Sequence, residues 1–151
     1  MKQFDSVDEI LDFAISEEEK AAAFYTDLAS KLDRPWMKKV FEDFAKEEQG
    51  HKAKLQNVKQ GGGAGLPAGK VLDLKIGEYL VDAEPTPNMD YQDALILAMK
   101  KEKASFRLYT ELANVAEDAA LQGLLQGLAQ EEAKHKLRFE MEYDEQVLTE
   151  N

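Results

Sequence analysis

Phe44-Ala45-Lys46-Glu47-Glu48-Gln49-Gly50-His51-Lys52-Ala53-Lys54-Leu55 is matched 84 positions later by Leu128-Ala129-Gln130-Glu131-Glu132-Ala133-Lys134-His135-Lys136-Leu137-Arg138-Phe139. Both segments carry Glu-Glu-x-x-His, and His51 and His135 are the only histidines in the chain. Side chains three residues apart share a helix face, so Glu48 and His51 can hold one ion together, as can Glu132 and His135.

Upstream of each segment lies a second repeated element. Leu11, Ala14, Ala21, Tyr25, Leu28 and Leu32 recur at the three-and-four spacing of one helical stripe. Position 18 belongs to that stripe and is glutamate. The same register gives Leu95, Ala98, Glu102, Ser105, Tyr109, Leu112 and Ala116. The downstream stripes are Met37, Phe41, Phe44, Glu48, His51, Leu55, Val58 and Leu121, Leu125, Leu128, Glu132, His135, Phe139.

Punctuation delimits these helices. Ser6-Val7-Asp8-Glu9 reads as a capping box opening the first helix. Asp33-Arg34-Pro35 ends it, with Pro35 suited to the first turn of the second. Glu84-Pro85-Thr86-Pro87 keeps the chain open up to a third helix starting near Asn88 or Asp90. A short break at Glu117-Asp118 precedes the fourth. Gln60 to Lys70 is glycine-rich and reads as a flexible linker. A phosphate-binding loop fails there on spacing, because Ala64 occupies the first glycine position and Val71 follows the lysine. Val71 to Asp82 is expected to form a short helix or an extended crossover piece. No segment alternates like a strand. The expectation is an all-α four-helix bundle, two helical hairpins related by an internal repeat and joined by a long connection.

Phase separates the charged candidates from the solvated surface. A lone Glu-x-x-His in a chain with 30 acidic residues is ordinarily a surface feature. Of Glu17-Glu18-Glu19, however, only Glu18 lies on the apolar stripe, and Glu48, His51, Glu102, Glu132 and His135 lie on theirs. Glu47 and Glu131 fall outside that register. Four carboxylates facing one core cost several kcal/mol each unless compensated, and the stripes contain no lysine or arginine. Protonation could relieve one or two of them. Two divalent cations neutralise all four. One Glu from each of two helices with Glu-x-x-His from each of the other two is the ligand arrangement of carboxylate-bridged dimetal bundles. Oxygen and imidazole donors suit iron or manganese, and zinc can also bind. Tyr25 and Tyr109, two turns from Glu18 and Glu102, are either core aromatics or donors to a ligand carboxylate.

Composition narrows the alternatives. A length of 151 residues, 44% hydrophobic and 32% charged, fits one globular domain. The absence of cysteine excludes disulfides and thiolate-bound metals. A net charge of −11 disfavours nucleic acid and anionic membranes as partners. Neither a secretory signal nor a membrane span is expected, which makes the cytoplasm the default location.

From about Val7 to Tyr143 the chain resembles the ferritin-like superfamily and, within it, the rubrerythrins. The residues that carry the resemblance are Glu18 with Tyr25, Glu102 with Tyr109, Glu48 with His51, and Glu132 with His135. The resemblance implies a single di-iron domain over residues 1–151. In it Glu48 and Glu132 bridge two irons, Glu18 and His51 complete one ion, and Glu102 and His135 complete the other. It further implies reduction of hydrogen peroxide, or oxidation of Fe²⁺ by peroxide or dioxygen, and a homodimer in which hairpin exchange is conceivable. Rubrerythrins proper carry a four-cysteine rubredoxin domain. Here electrons would come from an external donor protein such as a rubredoxin. They also usually have a further glutamate one turn past the third-helix ligand, where this chain has Ser105, which implies a symmetric six-ligand site closer to that of bacterioferritin. A ferroxidase, an oxygenase and a metal-binding module without redox turnover are the rival expectations.

Overall fold

A computed structural model of the chain describes residues 3–80 and 84–150. Five α-helices and one 3₁₀ turn account for the regular structure, and no strand occurs among the described residues. They fall into two compact units, one of them Phe4–Ala64 and the other running from Gly65 onward.

The first unit is an antiparallel hairpin of α1 (Val7–Ser30) and α2 (Pro35–Gln60). Ser6 caps α1 by accepting from the Glu9 N–H at 3.1 Å, an interaction worth about 1 kcal/mol. The Glu9 carboxylate reaches back one residue further than a capping box requires, accepting from Asp5 N–H at 2.6 Å. Pro35 occupies the first turn of α2, where its missing N–H has no helical partner to lose. Ile10, Leu11, Ala14, Met37, Phe41 and Leu55 are buried. Lys59 bridges to Asp12 and Lys52 to Glu19 across the two helices.

The second unit contains the short α3 (Ala68–Asp73), a 3₁₀ turn (Ile76–Glu78), and the hairpin of α4 (Tyr91–Val115) and α5 (Ala119–Glu150). Asp90 caps α4, accepting from Asp93 N–H at 2.7 Å. Asp118 starts α5 by accepting from Ala120 N–H at 3.2 Å. Leu95, Leu112, Leu125, Leu128 and Phe139 form its deepest apolar layer.

The segment expected to be a flexible linker is instead seated in turns. Gly62, Gly63 and Gly65 have φ of 74°, 71° and 90°, a left-handed backbone that side chains disfavour. Gly63 is buried, and a Cβ there would meet the Val7 side chain at 3.1 Å. Gly65 lies equally close to Leu121, and its carbonyl accepts from Glu117 N–H at 2.8 Å. Leu66, Val71 and Ile76 anchor the chain that follows. Tyr79 then fastens to α4 by donating to Glu111 at 3.1 Å, while the Arg107 guanidinium lies 3.9 Å from the Tyr79 ring centre. The expected crossover piece over Val71 to Asp82 is a short helix and a 3₁₀ turn as far as Leu80, and its end at Asp82 lies outside the described residues.

The buried stripes depart slightly from strict phase. Ala22 rather than Ala21 is buried on α1, and Ala104 rather than Ser105 on α4. Leu32 follows the end of α1 and is half-buried, as are Phe44 and Val58. A helix of 3.6 residues per turn drifts against a three-and-four pattern, and small alanines fill the close side of the contact.

Candidate metal centre

In the first hairpin, α1 presents Glu18 to α2, which carries Glu48 and His51 one turn apart. Exposure of the three is 2%, 2% and 1%. His51 Nδ1 lies 3.5 Å from Glu18 Oε2 and 3.3 Å from Glu48 Oε1. One donor atom from each of these residues falls within 4.8 Å of the other two. Ligands of a single divalent ion with bonds of about 2.0–2.2 Å sit at such separations.

The second hairpin repeats the arrangement. Glu102 on α4 and Glu132 and His135 on α5 are all buried, with His135 Nδ1 3.7 Å from Glu102 Oε1. Their donor atoms also lie within 4.8 Å of one another. Two carboxylates and an imidazole in each hairpin form a donor set suited to a divalent transition metal, and these buried groups could bind one. The acidic neighbours separate as their phase requires: Glu17 is half-buried and Glu19 exposed, Glu47 is exposed and Glu131 half-buried.

Tyr25 and Tyr109 are each 1% exposed. The Tyr25 ring stacks on Phe41 with centroids 6.4 Å apart and meets Phe44 edge-on at 6.5 Å. Both tyrosines are part of the buried core. Ser105, one turn beyond Glu102, is half-buried and supplies no carboxylate.

A buried acid outside the sequence-derived set is Glu142, 1% exposed on α5. Its Oε1 accepts from the Tyr91 hydroxyl at 3.1 Å and from Gln146 Nε2 at 3.3 Å. Position 142 continues the series Glu132, His135, Phe139, and that phase was the available signal. Glu140, Asp144 and Glu145 around it give the segment the look of an acidic surface run.

Residues 9–143 match the family model for rubrerythrin. The chain belongs to the rubrerythrin family. Among solved structures, a hypothetical protein from Pyrococcus furiosus is similar to this rubrerythrin-family chain, with a TM-score of 0.71 and 24% identity over 91% of this chain and 87% of that one. At that identity the likeness establishes the fold, which is all-α and ferritin-like. No curated protein matches the chain. No helix among the described residues is long and apolar enough to cross a membrane.

Proposed function

We propose that this rubrerythrin-family chain is a cytoplasmic di-iron oxidoreductase that reduces hydrogen peroxide with electrons from a separate donor protein, a role suited to oxidative stress. The observation that carries this reading is the burial, in each of two repeated hairpins, of one glutamate together with a Glu-x-x-His pair. Glu18 and His51 would hold one iron, Glu102 and His135 the other, and Glu48 and Glu132 would bridge them. Manganese or zinc could occupy the same donors.

When bound, two ferrous ions supply the two electrons that convert H₂O₂ and two protons to two waters. The task of the chain is to hold those ions with few enough ligands to leave positions open, and to exclude bulk water from them. Six residues for two ions, four of them carboxylates, meet the first requirement. Burial of all six meets the second. In this reading Tyr25 and Tyr109 orient ligand carboxylates through their hydroxyls, two turns along the same stripes from Glu18 and Glu102.

Ser105 favours one alternative. With no further carboxylate one turn past Glu102, the two metal positions are chemically equivalent, as suits a ferroxidase whose useful product is Fe³⁺. Stopped-flow oxidation of the anaerobically iron-loaded protein by equal concentrations of peroxide and dioxygen distinguishes the two. Faster reaction with peroxide, followed by repeated turnover with a reduced rubredoxin, is the expected result. Faster reaction with dioxygen and no turnover would replace the peroxidase reading by the ferroxidase one.

A further inference from the structure

A cleft of about 350 Å³ lies on the seam of the second hairpin, walled by Phe106, Thr110 and Asn114 of α4 and by Gln126 and Gln130 of α5. Ala113 and Ala129 are its buried members, so its floor is built of side chains one carbon deep. Towards one end Gln122 ties the helices together by donating to the Ala113 carbonyl at 3.0 Å. The opposite end points to the candidate ligands. Phe106 stands one turn after Glu102 on α4 and Ala129 one turn before Glu132 on α5, about 5 Å along each axis.

In a chain of which 32% is charged, no residue lining this cleft carries a charge. The internal repeat shows that the hairpin does not require this. In the 84-residue register Gln126 and Gln130 correspond to Glu42 and Lys46, both exposed, and Phe106 corresponds to the buried Ala22. Ala113 and Ala129 correspond to Ala29 and Ala45. The small floor is therefore common to both hairpins, whereas the paired amides and the aromatic wall belong to the second alone.

The chemistry of the walls selects what they receive. Each primary amide both donates and accepts, and the Thr110 hydroxyl does the same. Such walls suit a small neutral molecule with donors and acceptors of its own, and they give an ion of either sign no partner. Hydrogen peroxide has two O–H donors, two oxygen acceptors and no charge. Dioxygen has no donor and is a poor acceptor. At about 30 Å³ for each water displaced, the cleft has room for several molecules of peroxide size. We propose, resting on the peroxidase reading, that hydrogen peroxide enters the protein through this cleft. The Gln126 and Gln130 amides hold it over Ala129, and it passes between α4 and α5 to Glu102 and Glu132. The alanine floor is the thinnest barrier that side chains with a Cβ can make to a molecule of two heavy atoms.

Gln126 and Gln130 are exposed, so replacing both by leucine keeps the fold while removing the hydrogen bonds. In the iron-loaded Gln126→Leu, Gln130→Leu protein, stopped-flow oxidation by peroxide should slow about tenfold, the loss of two neutral hydrogen bonds, with oxidation by dioxygen unchanged. Glu42→Leu with Lys46→Leu is the control at the same register of the first hairpin, and it should leave both rates as they are. A second readout needs no turnover. In the zinc-loaded protein, which is redox-inert, added peroxide should shift the side-chain amide resonances of Gln126 and Gln130 beyond those of the exposed Gln49 and Gln56. A parent protein that does not react with peroxide would remove the peroxidase reading itself. A parent that reacts, with the double variant equally fast, with both oxidants slowed alike, or with no selective shift of the two resonances, would overturn the cleft and leave that reading standing.

Discussion

At the scale of single residues, the chemistry depends on which carboxylates are withdrawn from water. Glu17, Glu18 and Glu19 have the same side chain, yet only Glu18 is fully buried, because helical phase turns it towards His51. Glu102 stands in the same relation to His135. If both glutamates are ligands, the repeat makes them equivalent. Glu18→Ala and Glu102→Ala should then each lose roughly one of the two metals while keeping the other. Metal analysis of the purified variants, by emission spectroscopy after loading and desalting, reads this directly. Full occupancy in both would remove the ligand assignment. Glu142 is buried as deeply but falls in neither cluster of candidate ligands. Tyr91 and Gln146 donate to it, and the register equivalents of Tyr91 and Glu142 are Val7 and Val58. The second hairpin has a polar contact where the first has valines, with Gly63 donating to the Val58 carbonyl and lying against Val7.

At the scale of elements, the crossover is held by Tyr79 as much as by its helix. Burial, followed by the nearby Glu111 carboxylate that accepts its proton, pushes the Tyr79 hydroxyl well above its ordinary pKa of 10.0, with Arg107 opposing. A tyrosine whose ionisation is suppressed in the folded state leaves stability untouched below pH 10. Above it the unfolded chain loses its proton first, so stability falls as pH rises. The slope is at most about 1.4 kcal/mol per pH unit, and Tyr79→Phe should flatten it. Urea unfolding on either side of pH 10 tests this, and an identical alkaline slope in the variant would deny Tyr79 the role. This anchoring was not legible in the sequence. Glycine-rich composition indicates freedom of φ but not whether a fold uses it, and Gly63 and Gly65 are fixed by Val7 and Leu121, which lie far away in the chain. The four long helices and where each begins were legible, because Ser6, Pro35, Asp90 and Asp118 are local signals and the stripes repeat. The six candidate ligands were legible for the same reason.

At the scale of the whole molecule, the dominant fact is a net charge of −11 in a chain that withdraws five glutamates from solvent in its two hairpins, four of them candidate ligands. Desolvated carboxylates of like sign oppose folding, and a ligand bound only by the folded chain reverses that cost by mass action. At a free metal concentration 100 times the dissociation constant the gain is about 2.7 kcal/mol. For a chain of this length, that corresponds to a rise of roughly 5–10 °C in Tm. Zn²⁺ serves as well as Fe²⁺ for this measurement, because it takes the same donors without redox chemistry. Calorimetry of the chelator-stripped and zinc-loaded protein should show that rise. In a variant carrying both Glu48→Ala and Glu132→Ala, the stripped protein should be no less stable than the stripped parent, and zinc should raise its Tm little. A large zinc-dependent rise that survived both substitutions would place the metal elsewhere. A stripped protein already as stable as the loaded one would mean that protonation, not metal, neutralises the buried acids.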